Sequence, residues 1–331
     1  MQVDPHGSKL RDPALEVVTR RPRRFLSMAR ILYTENAEFN APFAAGLRAQ
    51  RPPLGRQSAP IRNLAASSEA CKRVMSKIQI EGVCKTYASK TGRVMALENV
   101  DLTIKQNEFI TLVGPSGCGK STLLKLIGAL IRPSRGVLLF DGEQLLNPTR
   151  DVGIVFQEAV LLEWRNVLDN VLLPAEILGL DKAKSRARAM HLLDLVGLKG
   201  FEMRAPRELS GGMQQRVSIC RALIHDPSVL LMDEPFAALD AMTREELGFE
   251  LMRIWDTDKK TVVFVTHNIS EAITLADRVV AMSPRPGRIA KVLEIELPRP
   301  RTIGMEFTPQ FKCYSDQIRE VIYHGAGAIR Q

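Results

Sequence analysis

Nothing in this sequence is long and apolar enough to cross a bilayer. The longest nearly uninterrupted apolar stretch, Leu123 to Ile131, carries Lys125 inside it and falls far short of the ~20 residues a spanning helix needs. The five cysteines (Cys71, Cys84, Cys118, Cys220, Cys313) are odd in number, scattered and without a CxxC pair. That argues against a disulfide framework and a cysteine-rich zinc site, and a reducing cytoplasm is the expectation. His191 and His225 have no companions at metal-ligand spacing. Also missing are the basic region, apolar core and cleavage site of a secretory leader, and any internal repeat. What is present is 331 residues, 45% hydrophobic and 25% charged, a composition that suits one large core or two modest ones and excludes a fibre or a wholly disordered chain.

A net charge of +9 would ordinarily suggest a nucleic acid or an anionic membrane surface as partner. Its distribution says otherwise. Residues 1–75 hold 13 Lys+Arg against 6 Asp+Glu, whereas residues 76–331 hold 33 against 31. The basicity belongs mostly to an irregular N-terminal segment containing Arg20-Arg21-Pro22-Arg23-Arg24 and Arg51-Pro52-Pro53-Leu54-Gly55. Such a composition seldom packs a core, so residues 1–75 are expected to form a disordered basic extension; an Arg-rich targeting segment is the competing reading. Because Met75 stands directly before the first regular strand, a native start near Met75 or Met28 is a further expectation.

From Lys77 the pattern tightens. Ile78–Val83 and Val100–Ile104 read as strands of an antiparallel sheet, separated by turn signals around Ser89 to Gly92. Phe109-Ile110-Thr111-Leu112-Val113 is apolar on both faces apart from one Thr, and a glycine-rich turn and a helical stretch, Lys120 to Leu130, follow it. That order predicts a mostly parallel, two-sided sheet. Gly153–Phe156, Val229–Met232, Val262–Val265 and Val279–Met282 are further buried-strand candidates, the last three spaced by segments with helical periodicity. Between about 160 and 225 there is no convincing strand, only the helices Val167–Leu178, Lys182–Val196 and Gly211–Ile224, which predicts a helical subdomain inserted into an α/β core. After Leu297 the pattern changes, with Pro298, Pro300 and Pro309, and residues 298–331 are expected to form a tail that packs loosely or docks on the main body.

Three segments carry chemistry. Gly114-Pro115-Ser116-Gly117-Cys118-Gly119-Lys120-Ser121-Thr122 fits G-x-x-x-x-G-K-[ST] between a strand and a helix. Its glycines let backbone N–H groups converge on a polyphosphate, the helix N-terminus adds positive potential, Lys120 neutralises phosphate charge and Ser121 can ligate Mg²⁺. Val229-Leu230-Leu231-Met232-Asp233-Glu234 puts two carboxylates at the carboxyl edge of a buried strand, where ligands of α/β sheets bind. Asp233 suits the Mg²⁺ shell and Glu234 an attacking water. In Leu209-Ser210-Gly211-Gly212-Met213-Gln214-Gln215, Ser210 caps a new helix whose first N–H groups two glycines expose, a second anion-binding terminus. A single bound nucleotide does not need both, which suggests that the second serves the nucleotide of another copy.

These residues resemble the ATP-binding cassette family over roughly residues 77–290. The resemblance makes Leu209–Gln215 the signature (Ser210, Gly211, Gly212 and Gln214 on nucleotide), Gln157 the Q-loop glutamine that reaches Mg²⁺ and water, Ala238-Leu239-Asp240 the D-loop, His267 the switch histidine and Tyr87 the ring stacked on adenine. It implies an α/β P-loop ATPase core spanning 76–297, with antiparallel and helical subdomains, and a homodimer sandwiching two ATP and Mg²⁺. It also implies separate transmembrane permease subunits, an extracytoplasmic solute-binding protein and a place at the cytoplasmic face of the membrane. Val155-Phe156-Gln157-Glu158, Leu162-Glu163-Trp164-Arg165, Asp240-Ala241-Met242-Thr243-Arg244 and Met282-Ser283-Pro284-Arg285-Pro286-Gly287-Arg288 resemble the importers of nitrate, sulfonate, taurine and bicarbonate. Glu163, where Pro is usual, and Cys220, where Ala is common, depart from that pattern. A cassette ATPase acting on nucleic acid or ribosomes is the rival reading. A single cassette with only 88 positions between Ser121 and Leu209 leaves no room for a long coiled coil and argues against it, so no nucleic-acid partner is expected.

Overall fold

The computed structural model describes residues 76–89, 92–237 and 239–327. The expected basic extension lies outside the described residues. β1 (Ser76–Ser89), β2 (Gly92–Lys105), β4 (Arg135–Phe140) and β5 (Glu143–Gln144) form an antiparallel sheet in the order β2-β1-β4-β5. A second sheet runs β10-β9-β3-β8-β7-β6, built from β3 (Phe109–Val113), β6 (Val152–Val155), β7 (Val229–Asp233), β8 (Thr261–Val265), β9 (Arg278–Met282) and β10 (Ile289–Glu294). It is parallel except for the edge pair β9–β10.

The central strands β3, β7 and β8 are buried at every residue, as strands covered on both faces must be. Alternation along each then separates two cores. Ile110, Leu112, Leu231, Val263 and Val265 face helix α1 (Lys120–Ile127) and the antiparallel sheet. Phe109, Val113, Leu230, Met232, Val262 and Phe264 face the other way, toward the remaining helices. Thr111, the one polar residue in β3, is satisfied by donating its hydroxyl to Ala272 O at 3.4 Å. The expected helix Lys120–Leu130 ends earlier, at Ile127, because Gly128 follows as its cap.

Between β6 and β7 lie α2 (Val167–Ile177), α3 (Lys182–Leu195) and α4 (Gly211–Leu223), each begun by a side-chain cap: Asn166, Asp181 and Ser210 accept from the backbone three residues on. Asp240 and Asn268 do the same for α5 (Ala241–Thr257) and α6 (Ile269–Leu275). The segment after Leu297 docks. Arg301 threads under the main body and donates to Ile273 O, Ala276 O and Ile295 O at 2.6, 2.6 and 3.1 Å, and its burial pulls the guanidinium down to about 10. Helix α7 (Pro309–Gly327) then buries Phe311 and Ile318 against α6 and β9.

Candidate nucleotide site

All the carboxyl ends of the parallel strands point to one edge, and the chemistry-bearing residues gather there. After β3 the chain enters the loop Gly114 to Gly119. Gly119 sits at φ +106°, and a Cβ there would come within 2.6 Å of Leu97 Cδ2 and 3.0 Å of Ala96 O. Only glycine permits the turn into α1 this close to β2. Lys120, buried, folds back so that its ammonium donates to Gly114 O at 2.9 Å and Pro115 O at 3.2 Å. Ser116 and Gly117 are exposed at the loop tip, while Cys118 turns inward, its thiol pushed up by burial. Ser121 and Thr122 open the helix.

Ser121 donates its hydroxyl to Asp233 Oδ1 at 2.8 Å, tying the helix start to the end of β7 across 112 positions of sequence. Burial pushes the Asp233 carboxyl up, and the Ser121 hydrogen bond pulls it partly back. Next to it Glu234 adopts φ +45°, a left-handed backbone that costs a non-glycine residue ~1 kcal/mol or more. Its N–H is anchored on Val265 O at 3.0 Å, and its Oε2 lies 3.2 Å from His267 Nδ1. An ionised carboxylate only accepts, so this contact selects the imidazole form with hydrogen on Nδ1. His267 stands two residues beyond the end of β8. Two adjacent strands thus bring a carboxylate and an imidazole together.

The other expected site residues are more dispersed. Gln157 is exposed two residues beyond β6, the strand beside β7. Tyr87 stands at the end of β1, 39% exposed, with Lys85 Nζ 5.2 Å from its ring centre. Ser210 accepts from Met213 N at 3.3 Å, and the Gln214 carboxamide donates inward to Pro206 O at 3.0 Å. Space above Gly211 is open, and Gly212 lies against Leu239 and Thr243. Asp240 accepts from Thr243 N and Thr243 Oγ1, and these backbone and hydroxyl donors hold its carboxyl down. Among the described residues no hydrogen bond joins Ser210–Gln214 to the phosphate loop.

Several supporting contacts were not visible in the sequence. Gln215, buried, donates to Phe156 O at 3.0 Å, and Arg221 donates to Ala159 O and Val160 O at 2.7 and 2.8 Å. Helix α4 therefore grips the segment around Gln157. Asn170, fully buried, accepts from Leu162 N and donates to three carbonyls of residues 162–166. The segment Met282–Arg288 buttresses the phosphate loop: a Cβ on Gly287 would run into the Cys118 carbonyl, and Arg285 Nε donates to Gly117 O at 3.3 Å.

A glycine loop between a buried strand and a helix, its lysine folded inward and an acidic pair on a nearby strand, defines a P-loop ATPase. The family model for the ABC transporter matches residues 97–237. An uncharacterised ABC transporter ATP-binding protein of Methanocaldococcus jannaschii is 49% identical over 229 residues, covering 69% of this chain and 86% of that relative. An aliphatic sulfonates import ATP-binding protein of Bacillus cereus is 45% identical over 229 residues, 69% of this chain and 90% of its own. Among solved structures, an ATP-binding cassette in a dimeric post-hydrolysis state bound to ADP and Pi aligns with a TM-score of 0.61 at 35% identity, covering 67% of this chain and all of that one. The chain belongs to the ABC transporter ATP-binding protein family. Its fold is that of the cassette ATPases and its activity is ATP hydrolysis.

Proposed function

We propose that this chain is the energy-coupling subunit of an importer for a small anionic solute, with an aliphatic sulfonate the first candidate and nitrate, taurine or bicarbonate the related ones. The single observation that supports it most is the meeting of Lys120, Ser121, Asp233, Glu234 and His267 at one sheet edge. Relatives named for aliphatic sulfonate import at 45–46% identity favour the importer branch over a ribosome- or nucleic-acid-directed ATPase.

Each residue then has a task. Loop N–H groups from Gly114 to Ser121 receive phosphate oxygens, and Lys120 exchanges its two carbonyl partners for them. The residues fit Mg²⁺: Ser121, Asp233 and Gln157 are oxygen donors of the kind a hard cation takes, and the bound ion would supply neutralisation of phosphate charge. Glu234 orients the attacking water and accepts its proton, while His267 holds Glu234 and reaches for the terminal phosphate. Tyr87 offers its ring to adenine.

Ser210, Gly211, Gly212 and Gln214, at the exposed start of α4, together with Asp240, serve the nucleotide of a second copy. Gln157 and the exposed Val160 and Trp164 face a separate transmembrane permease at the cytoplasmic side of the membrane, with the solute handed over by an extracytoplasmic binding protein. Among the described residues no helix is long and apolar enough to cross a membrane itself. Residues 76–297 act as the ATPase domain, and residues 1–75 lie outside this reading.

Two substitutions test the assignment. Glu234→Gln should keep nucleotide binding and lower turnover by ~10²–10⁴, the usual effect of losing a general base; Lys120→Ala should lose binding itself. Near-normal hydrolysis by Glu234→Gln would show that another group takes the proton.

A further inference from the structure

Behind Glu234 and His267 lies a small cleft of about 10 Å³, lined also by Arg244, Thr266 and Glu271. Arg244 comes from the first turn of α5, just past Asp240, and Glu271 from the first turn of α6, just past His267. The guanidinium is already tied to the segment that follows Glu234, because Arg244 Nη2 donates to Leu239 O at 3.0 Å. What remains is complementary. Arg244 Nε, a donor, and Glu271 Oε1, an acceptor, are both buried and both without a hydrogen-bond partner. Leaving a buried polar atom unsatisfied is costly even when the rest of its group is bonded. Two orphan atoms of opposite type thus border one cleft. Burial pushes the Glu271 carboxyl up, and the Thr266 hydroxyl and then the Arg244 charge pull it partly back.

We propose that Arg244 and Glu271 are positioning residues for Glu234 and His267, an ion-pair strut that holds the turn from Glu234 to Asp240 against the start of α6. The proposal rests on the roles assigned to Glu234 and His267 above. Neither strut residue touches the loop Gly114–Thr122, and neither is needed to bind nucleotide. Joined, the two fix the separation between the end of β7, which carries Glu234, and the end of β8, which carries His267. Through Leu239 the same strut ties that separation to Asp240, which faces the second copy. Dimer closure and catalytic geometry become one event.

The test is steady-state ATP hydrolysis by the full chain carrying Arg244→Gln, Glu271→Gln or both, with Mg²⁺ present and melting temperature followed alongside. Displacing a catalytic group by a fraction of an ångström to 1 Å costs roughly 10–10² in rate. Each single variant is therefore expected to lower kcat by roughly 10-fold or more, with KM for ATP changed less than about 2-fold. The double variant is expected to be no slower than the worse single one, as for two residues acting as a unit. The near-isosteric Glu271→Gln keeps the test meaningful should Arg244→Gln fold poorly. Multiplicative losses, a KM that rises in step, or a kcat loss in Glu271→Gln no larger than about 2-fold would each overturn the strut. Glu234→Gln run in parallel separates the two claims: if it hydrolyses normally the base assignment fails, whatever the strut variants do.

Discussion

At the residue scale, the site is a set of local conflicts that its neighbours hold in place. Gly119 takes a left-handed conformation against β2, and Glu234 takes one without glycine's freedom. Adding a methyl group to Gly119 would strain a backbone at φ +106° and drive Cβ into Leu97. Gly119→Ala should therefore cost about 1–3 kcal/mol of stability, the range for a residue forced into a sparsely populated conformation, and weaken nucleotide binding with it. Denaturant unfolding and a nucleotide titration read both effects; unchanged values would mean that the loop does not need this geometry. The residues at this scale that the sequence made legible were those in contiguous patterns: Gly114–Thr122, Asp233-Glu234 and Ser210–Gln214. Gln215 and Arg221 were not, because their partners lie across tertiary contacts, up to 62 positions away for Arg221, and a single polar residue on a helix carries no sign of which carbonyl it will meet.

At the scale of elements, helix α4 does two things. Its exposed first turn is the proposed contact to the neighbouring nucleotide, and its later turns hold the Gln157 segment through Gln215 and Arg221. A movement of that segment must therefore be felt by α4, since these three carbonyl contacts would have to break. Gln215→Leu removes the donor and leaves Phe156 O unpaired, so amide hydrogen exchange around residues 156–162 should speed up while α1 and β3 stay protected. Uniform exchange across both regions would show that α4 does not hold the loop. A second prediction concerns the C-terminal segment. Arg301→Met would strip several buried carbonyls of their donor, and each unsatisfied group costs about 1–3 kcal/mol. Melting should drop and α7 should exchange faster; an unchanged melt would mean that α7 docks without this anchor. The parallel strands and the three helices of the 160–225 region were readable because uninterrupted burial and helical periodicity are strong signals. β4 was not, since its burial runs exposed, exposed, intermediate, buried, intermediate, intermediate. α7 was hidden behind a proline-rich approach, although Pro309 at its first position suits a helix start.

Taken whole, the molecule is half of a machine. The phosphate loop, Asp233, Glu234 and His267 are assembled within one chain, whereas Ser210, Gly211 and Asp240 are exposed at two other helix starts. The near-neutral balance of residues 76–331 fits an ATPase that works against protein surfaces rather than along a nucleic acid. The sequence raised a shared site because a second capped, glycine-rich helix start stands in the same chain. It could not reach the transported solute, whose chemistry none of these residues needs to touch. The most direct test is the solution mass of Glu234→Gln with and without Mg²⁺ and ATP, a variant expected to trap the pre-hydrolysis state. Two copies should associate on adding nucleotide, doubling the 36.9 kDa mass of the chain, and the same protein should return to one copy when nucleotide is removed. A single copy that binds ATP at saturation and stays single would contradict the shared site on which the account depends.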